Sequence, residues 1–545
     1  MSTNLKIVLA QLNFHVGDIE GNCKKILENI EIAKSKHMAD CIVFTELALI
    51  GYPPEDLIFR AKINARIEKC ISQIKELAKN ITVVVGTPWM EQEKRFNAVL
   101  VLQDQQIIAK YYKQVLPNYS VFDEERYFSS GTDTCVFKIN NVNMGLTVCE
   151  DVWSSEPVKK CRQAGADLVI SINASPFHEH KQSERVAAVA KQAKENRIPI
   201  LYVNQVGGQD ELVFDGSSFA LDSQQEIVAK AAFCEEDLLL IEFQPENQKL
   251  VSKTHFSELY DELGIVYQVL QLGLKDYVNK NGFKGGLIGL SGGIDSALAL
   301  TLAADALGPE RVHAVMMPTQ YTSDMSLEDA ELLSTNLGVK YSVIEIEPIV
   351  ESFTNALKDL FIDTESDTTE ENIQARIRGM LLMALSNKFG HMVISTGNKS
   401  EMAVGYATLY GDMAGGFAPL KDVPKMKVFE LSRYRNTISN VIPQRIIDRP
   451  PSAELAPDQV DEDSLPPYEE LDQILELFIE EDAGREEIVA KGFDEEVVSR
   501  VIKMVFQNEY KRRQAPPGVK ITKRAFGKDR RYPITSGVLK YLTES

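Results

Sequence analysis

The sequence predicts an α/β protein of two domains, and three observations support this. The chain has 545 residues, more than the roughly 100–200 residues of one ordinary domain. Short β-branched runs alternate with amphipathic stretches in its first half. In its second half, four apolar runs are separated by helix-length segments, the βαβ pattern of a doubly wound parallel sheet. We predict domains at 1–245 and 263–545, joined by a polar linker at 246–262.

The first domain is predicted from seven strand-like runs and three helical segments. Helical periodicity covers 21–37, 61–79 and 181–196. Because some neighbouring runs have very short connections, antiparallel pairs are expected among the α/β units. The strand candidates are 6–14, 41–47, 82–89, 97–102, 144–149, 167–175 and 200–207. Together these segments indicate a layered α/β domain.

The second domain is predicted from strands that alternate with helices. The strand candidates are 285–290, 313–318, 341–346 and 391–396. Two further segments are typical of loops: an acidic one at 362–371 and a proline-rich one at 443–468. The proline-rich segment is our candidate for a loop that closes over a ligand, and a plain solvated loop is the alternative.

Composition excludes several classes of function. The chain has 59 Lys and Arg against 79 Asp and Glu, a formal charge of −20, which argues against general nucleic-acid binding. We find no apolar run of about 18 residues, so no membrane partner is expected. The seven cysteines include no C-x-x-C pair, so we expect a reduced, cytoplasmic protein without a disulfide framework.

The most informative loop of the second half follows the first strand at 285–290. It reads S-G-G-I-D-S at 291–296 and leads into a predicted helix. Two adjacent glycines allow the backbone to approach a ligand closely. Ser291, Ser296 and the N–H groups of the helix can then bind an anion, and Asp295 can hold Mg²⁺ against it. An ordinary glycine-rich turn would be the better interpretation of a shorter motif.

This loop resembles the pyrophosphate-binding loop of N-type ATP pyrophosphatases. Three further segments, at 372–387, 395–425 and 450–455, resemble the NAD⁺ synthetases, and the likeness extends over residues 260–545. The resemblance implies that Mg·ATP adenylates the carboxylate of deamido-NAD⁺. Ammonia then displaces AMP, which gives NAD⁺. A carboxylate needs this activation because oxide is a poor leaving group.

The resemblance also implies the binding residues of the second domain. Asp295 and Glu401 would bind Mg²⁺, and Asp412 and Lys425 would make further substrate or phosphate contacts. Deamido-NAD⁺ would contact Asn372, Glu401 and Lys511. ATP would contact Gly289, Leu290, Ser291, Gly292, Gly293, Ile294, Asp295, Ser296 and Thr396.

A source of ammonia is predicted in the first half, where Cys149 ends a strand and is a candidate nucleophile. A Cys–His dyad with His178 or His180 is one possibility. Glu46 and Lys113 also lie at strand ends, and they offer a base and a cation to the same thiol. These three residues resemble the Glu-Lys-Cys triad of the nitrilase superfamily over about residues 1–245. The glutaminase domain of glutamine-dependent NAD⁺ synthetases has this triad.

The nitrilase resemblance implies an α-β-β-α layered domain and a role for each residue. Glu46 would be the general base. Cys149 would attack the glutamine amide and form a thioester. Lys113, oriented by Glu124, would stabilise the oxyanion together with a backbone N–H. Glutamine itself would contact Tyr119, Ser175 and Lys181, and Glu150 is a chemical guess for its α-amino group.

The family resemblance implies a homo-oligomer joined through the synthetase domain. Two other interpretations stay open at this point. One is a different adenylating amidotransferase, which would act on a nucleotide base or an aspartyl group. The other is a non-catalytic binding or scaffolding protein with the same folds, against which the intact triad and loop argue.

Overall fold

The computed structural model describes residues 4–252, 261–456, 459 and 461–538. The chain divides into two compact units, Met1–Leu259 and Tyr260–Ser545.

The first unit contains two main sheets and a hairpin. The first sheet has the order β15-β14-β1-β2-β3-β4-β5, the second has the order β13-β12-β9-β8-β7-β6, and β10 pairs with β11. The strands are β1 (Leu5–Gln11), β2 (Cys41–Val43), β3 (Thr82–Glu91), β4 (Lys94–Gln103), β5 (Gln106–Tyr112), β6 (Val136–Ile139), β7 (Val142–Val148), β8 (Leu168–Asn173), β9 (Ile200–Asn204), β10 (Val206–Gln209), β11 (Leu212–Asp215), β12 (Phe219–Leu221), β13 (Ile227–Lys230), β14 (Asp237–Gln244) and β15 (Lys249–Val251).

Four helices cover the outer faces of these sheets: α1 (Ile19–Ser35), α2 (Ala61–Leu77), α3 (Ser155–Gln163) and α4 (Lys181–Asn196). Helix α1 begins where the Asp18 side chain accepts the N–H of Gly21. Its buried stripe, which includes Ile19, Ile26 and Ile30, packs on the first sheet. A separate core lies between the two sheets and includes Leu9 of β1. The predicted α-β-β-α layering is therefore confirmed.

Two segments of the first unit differ from the predicted strands. The strand predicted over 41–47 ends at Val43, because the chain then crosses closely over β3. A Cβ on Gly86 would lie 2.4 Å from the carbonyl oxygen of Thr45, so only glycine permits this crossing. Within the segment predicted as a linker, β15 pairs with β14 as an edge strand. Residues 253–260 of that segment lie outside the described residues.

The second unit is built on a four-stranded parallel sheet in the order β18-β17-β16-β19. Its strands are β16 (Gly286–Gly289), β17 (Val312–Met316), β18 (Lys340–Val343) and β19 (Met392–Val393). The helices that surround this sheet are α5 (Glu262–Lys280), α6 (Ile294–Leu307), α7 (Asp324–Leu337), α8 (Glu347–Leu357), α9 (Thr368–Phe389), α10 (Lys399–Val404), α11 (Lys425–Ile438) and α12 (Gln444–Asp448). The doubly wound α/β prediction is confirmed.

The last part of the second unit is helical. It contains α13 (Tyr468–Leu475), α14 (Arg485–Ala490), α15 (Glu495–Gln507) and α16 (Glu509–Arg512). Apolar side chains of α13 and α15 form a separate core with α10. Among the described residues, no helix is long and apolar enough to cross a membrane.

Candidate active sites

Glu46 lies at the centre of the first candidate site. Its side chain is fully buried. One carboxylate oxygen, Oε2, accepts the backbone N–H of Ala174 at 2.9 Å. The other, Oε1, accepts bonds from the Asn97 amide at 2.7 Å and from the Lys113 ammonium at 2.8 Å. Glu46 is therefore held by donors from three separate segments.

Lys113 follows directly after β5 and lies between two carboxylates. Its Nζ is 2.8 Å from Glu46 Oε1 and 2.8 Å from Glu124 Oε1. Glu124 also accepts the hydroxyl of Tyr52 at 2.8 Å. Burial alone would lower the pKa of Lys113, but the two carboxylates raise this pKa well above its ordinary value. The lysine is therefore a fixed buried cation.

Cys149 follows β7 at the start of a 3₁₀ turn, Cys149–Val152, and is 5 % exposed. Its φ of +47° lies in the left-handed region, as expected for a sharp turn after a strand. Burial, followed by the charge of Glu46, raises the pKa of its thiol well above the ordinary value, while Lys113 lowers it. The effect of the cation on this pKa is thus outweighed. The raised pKa favours the protonated thiol, so a base is needed to form the thiolate.

The three triad candidates therefore belong to one buried group. Glu46 and Lys113 are in direct contact, and the charges of both act on the Cys149 thiol. The histidines of the alternative dyad have other surroundings. His178 contacts the carbonyl of Glu179 and lies 3.6 Å from Glu184. The geometry supports the Glu-Lys-Cys interpretation.

The predicted glutamine-binding residues surround this group. Tyr119 is 55 % exposed, and its hydroxyl donates to Glu150 Oε1 at 3.0 Å. Lys181 is half-buried, with its ammonium 4.2 Å from the centre of the Trp153 ring. Burial raises the pKa of Tyr119 and lowers that of Lys181, and a charge on Cys149 would raise both. Both residues are thus electrostatically coupled to the thiol.

Ser175 is the third predicted glutamine contact, and it is buried. Its backbone N–H donates to Asn204 Oδ1 at 2.9 Å, and its carbonyl accepts Arg185 Nη2 at 3.2 Å. Arg185 is fully buried and forms a two-pronged ion pair with Asp215. Ser175 is therefore held rigidly from two sides.

The second candidate site is the loop after β16. Gly292 has a φ of +82°, and a Cβ there would lie 2.6 Å from the carbonyl oxygen of Ser326. Ser291 Oγ is 3.1 Å from Ser296 Oγ and accepts the N–H of Gly293 at 3.2 Å. The loop is thus folded on its own hydroxyl groups at the N-terminus of α6, which is suited to binding an anion.

The two predicted metal ligands of this site share one lysine. Lys425 Nζ is 2.5 Å from Asp295 Oδ2 and 3.1 Å from Glu401 Oε1. The other oxygen of Asp295 accepts the Asn398 amide at 2.8 Å. Burial raises the pKa of Glu401, and the charge of Lys425 opposes this shift. Among the described residues, no three His, Cys, Asp or Glu side chains are grouped so that they could hold a metal ion together.

These groups line a cleft with a volume of about 1380 Å³, including its open mouth. The predicted ATP-binding and metal-binding residues on its wall are Gly289, Leu290, Ser291, Gly293, Ile294, Asp295, Ser296, Thr396 and Glu401. Asp412 and Lys425 line it as well. A cleft with an anion-binding loop in its wall suits a phosphorylated small molecule such as a nucleotide.

The predicted deamido-NAD⁺ contacts Asn372 and Lys511 are not among the residues that line this cleft. Asn372 accepts the hydroxyl of Thr408, and Lys511 donates to the carbonyls of Gly405 and Ala407. Both therefore bind the segment 405–408, and Thr408 of that segment does line the cleft. They support its wall in this structure.

Part of the predicted loop 443–468 reaches the cleft. Residues 451–455 line it. Glu454 Oε1 accepts the hydroxyls of Ser323 at 2.9 Å and of Ser326 at 2.7 Å. Arg449 donates to Ser326 and to the carbonyl of Gly292. The loop is thus connected to the anion loop, and residues 457, 458 and 460 lie outside the described part.

Several residues at the two sites were not predicted from the sequence. Asn97, Asp151 and Tyr52 contact the triad or its flanking segments, and Arg378 lines the cleft. Arg378 is partly buried, and the loss of solvation lowers its pKa to about 10. For Asp151, a signal was present, since it follows the nucleophile by two positions. The others come from segments that meet only in the folded chain.

Comparison with known proteins supports the assignment of both domains. The family model described as carbon-nitrogen hydrolase matches residues 6–251, and that described as NAD synthase matches residues 266–515. The glutamine-dependent NAD(+) synthetase of Acinetobacter baylyi is 50 % identical over 98 % of this chain and 99 % of that protein. The enzyme of the same name from Aquifex aeolicus is 45 % identical, with 98 % and 100 % covered.

Solved structures give the same result. The glutamine-dependent NAD⁺ synthetase from Acinetobacter baumannii, in complex with adenosine diphosphate, is 46 % identical with a TM-score of 0.80, and 98 % of this chain and 99 % of that chain are covered. The enzyme from Cytophaga hutchinsonii is 22 % identical with a TM-score of 0.85, and 99 % and 100 % are covered. The second likeness supports the fold.

Proposed function

The chain belongs to the glutamine-dependent NAD⁺ synthetases, and from this premise we propose how its residues divide the reaction. The first unit hydrolyses glutamine to glutamate and ammonia. The second unit adenylates deamido-NAD⁺ with ATP, and ammonia displaces AMP to give NAD⁺. The observation that carries this proposal is the buried Glu46–Lys113–Glu124 group beside Cys149, in one chain with a serine-lined anion loop.

In the first unit, Glu46 removes the proton of the Cys149 thiol as sulfur attacks the amide carbon of glutamine. Lys113 and a backbone N–H of the turn after β7 stabilise the negative charge on the carbonyl oxygen. The leaving ammonia takes a proton from Glu46, and a thioester remains. Glu46 then activates water, which releases glutamate and restores the thiol.

The glutamine substrate is positioned by the exposed groups around Cys149. Lys181 binds the α-carboxylate, since it is the half-buried ammonium beside the thiol. Tyr119 and Glu150, which are already hydrogen-bonded to each other, contact the α-amino end. Ser175 contributes through its rigidly held backbone. These contacts favour an amino acid over a simple amide.

In the second unit, the loop from Gly289 to Ser296 binds the ATP phosphates, and Thr396 contacts the same nucleotide. The carboxylate of deamido-NAD⁺ attacks the α-phosphate, and pyrophosphate leaves. Lys425 neutralises charge near the reacting phosphates. Deamido-NAD⁺ contacts Glu401 and the segment 405–408. Asn372 and Lys511 hold that segment in place.

Mg²⁺ fits the donor set at this site. Asp295 and Glu401 present carboxylate oxygens toward one point, now bridged by the Lys425 ammonium, and oxygen is the ligand that Mg²⁺ prefers. When bound there with ATP, Mg²⁺ would neutralise phosphate charge. We further propose a cytoplasmic homo-oligomer joined through the second unit, on the basis of the family resemblance.

The proposal is tested by the choice of acceptor. We expect the protein to form NAD⁺, AMP and pyrophosphate from deamido-NAD⁺, Mg·ATP and glutamine. Matched reactions would offer aspartate or a carbonyl-bearing nucleotide base in place of deamido-NAD⁺. Amidation of one of these, without NAD⁺ formation, would identify a different adenylating amidotransferase. No AMP from any acceptor would support the binding-protein alternative.

A further inference from the structure

One buried carboxylate in the first unit has no role in the reaction described above. Asp151 is fully buried and accepts four hydrogen bonds. Its Oδ1 accepts the backbone N–H groups of Gln114 at 3.0 Å and Val115 at 2.9 Å. Its Oδ2 accepts the N–H of Val148 at 3.0 Å and the hydroxyl of Tyr111 at 2.7 Å. Each oxygen thus has two donors.

The four donors come from two segments that carry the reacting groups. Tyr111, Gln114 and Val115 lie within two positions of Lys113 in the sequence, and Val148 immediately precedes Cys149. One carboxylate therefore connects the backbone around the lysine to the backbone around the nucleophile. The bonds from Tyr111 and Val148 are buried and those from Gln114 and Val115 are partly buried, so water competes little for the carboxylate.

The turn that Asp151 holds is the one that presents the nucleophile. Cys149 has a φ of +47°, in the left-handed region that residues with a side chain rarely adopt. The bond from the Val148 N–H to Asp151 closes this turn. The orientation of the backbone N–H groups after Val148 follows from that closure.

We propose that Asp151 is a positioning residue that fixes the two donors for the oxyanion, the Lys113 ammonium and a backbone N–H of the turn after β7, at the correct separation. The inference rests on the proposed function of Cys149 and Lys113. Asp151 does not touch the substrate. It acts by holding two segments, from different strands, in one geometry.

A carboxylate is required here because it offers only acceptors. Asparagine has nearly the same shape, but its amide nitrogen is a donor. In Asp151→Asn, that nitrogen would face either the backbone N–H groups of Gln114 and Val115 or the Val148 N–H and the Tyr111 hydroxyl. At least one backbone N–H would therefore lose its acceptor while the side-chain volume stays nearly the same.

The experiment compares two reactions of Cys149 in the full chain. Glutamine hydrolysis passes through an oxyanion, whereas alkylation by iodoacetamide is a displacement at saturated carbon and does not. For Asp151→Asn we expect kcat for glutamine hydrolysis to fall about 100-fold, the loss typical of one oxyanion donor. KM and the alkylation rate should stay within about threefold, since substrate contacts and the thiol are retained.

Two matched variants complete the test. Asp167→Asn changes a carboxylate that accepts the N–H of Asn143 at the opposite end of β7, and it should leave hydrolysis unchanged. Tyr111→Phe removes one donor of four, and it should lower kcat by a smaller factor, about three- to tenfold. If Asp151→Asn does not fold, the kcat of Tyr111→Phe tests the inference on its own.

The outcomes are distinct. Unchanged kcat in Asp151→Asn, or in Tyr111→Phe if that variant alone folds, would overturn the inference. Alkylation that falls in parallel with kcat would also overturn it, because the nucleophile itself would then be disturbed. Failure of the proposed function looks different: the wild-type protein would not hydrolyse glutamine, or Cys149→Ala would still hydrolyse it.

Discussion

A lysine between two carboxylates occurs in each of the two units, and the pair invites comparison. In the first unit, Lys113 lies 2.8 Å from both Glu46 and Glu124. In the second, Lys425 lies 2.5 Å from Asp295 and 3.1 Å from Glu401. The local chemistry is nearly the same, but the surroundings are not.

The difference is solvent access. The side chains of Lys113, Glu46 and Glu124 are at most 5 % exposed, whereas Asp295 and Glu401 are 18 % and 17 % exposed on the wall of a cleft. The first group is closed to solvent, as suits an uncharged amide that needs a base and an oxyanion donor. The second keeps part of its carboxylate surface open to solvent, as suits a polyphosphate that arrives with a cation.

The largest effect is expected at Glu46, in the buried group of the first unit. Glu46→Gln should lower glutamine hydrolysis by up to about 10⁴-fold, because the base is lost. The charge of Glu46 raises the pKa of Cys149, so its removal should lower that pKa. The pH at which alkylation of Cys149 is half-maximal should therefore move down, even as hydrolysis is lost. An upward shift of this pH would contradict the placement of Glu46 beside the Cys149 thiol.

The next largest effect is expected at Asp295, in the partly exposed group of the second unit. Asp295→Asn should lower NAD⁺ formation from glutamine and from ammonium alike, by about 10²–10³-fold, because phosphate charge is less well neutralised. Glutamine hydrolysis by the same variant is the internal control and should persist. If only glutamine-driven synthesis falls, Asp295 does not serve the nucleotide.

A smaller effect is expected at Gly292 in the anion loop. Gly292→Ala should raise KM for ATP about tenfold, since the new Cβ would collide with the Ser326 carbonyl 2.6 Å away and move the loop. Gly338→Ala is the matched control: its φ is also positive, +68°, and nothing lies within 4 Å of the new Cβ. Equal effects in both variants would refute a specific role for the loop geometry.

The smallest effect concerns stability at the amino-terminal end of the parallel sheet of the second unit, where His313 lies on β17. Burial, with the charges of Lys340 and His391, lowers the pKa of His313 to about 4. The unfolded chain binds this proton near pH 6.5, so stability should fall as pH drops from about 6.5 to about 4, by at most about 3 kcal/mol. His313→Gln should lose less stability between pH 7 and pH 5 in urea unfolding. The two proteins should respond alike between pH 7 and pH 8, and identical losses on acidification would contradict the assignment.

The two sites also differ in how far the sequence predicts them. The anion loop is contiguous, so its residues, its strand and its helix are all visible in one segment. The triad is spread over Glu46, Lys113 and Cys149, and only the resemblance to a known superfamily joins them. Their contact depends on the register of two sheets, which periodicity does not specify.

The residues that sequence reasoning missed are those whose role is created by folding. Asn97 meets Glu46 from β4, and Arg378 reaches the cleft from α9. The short β2 shows the same limit. The predicted strand continues to Leu47, but the chain leaves the sheet after Val43, and Glu46 is fully buried beyond that point. The alternation of residues in a strand does not indicate where the chain leaves the sheet.

The central claim is that Cys149 makes ammonia for a reaction carried out by the other unit. The most direct measurement is NAD⁺ formation from deamido-NAD⁺ and Mg·ATP by Cys149→Ala, with glutamine or ammonium as nitrogen donor. We predict loss of glutamine-driven synthesis, because the thioester cannot form, with ammonium-driven synthesis close to wild type. Glutamine-driven synthesis at the wild-type rate would contradict the account.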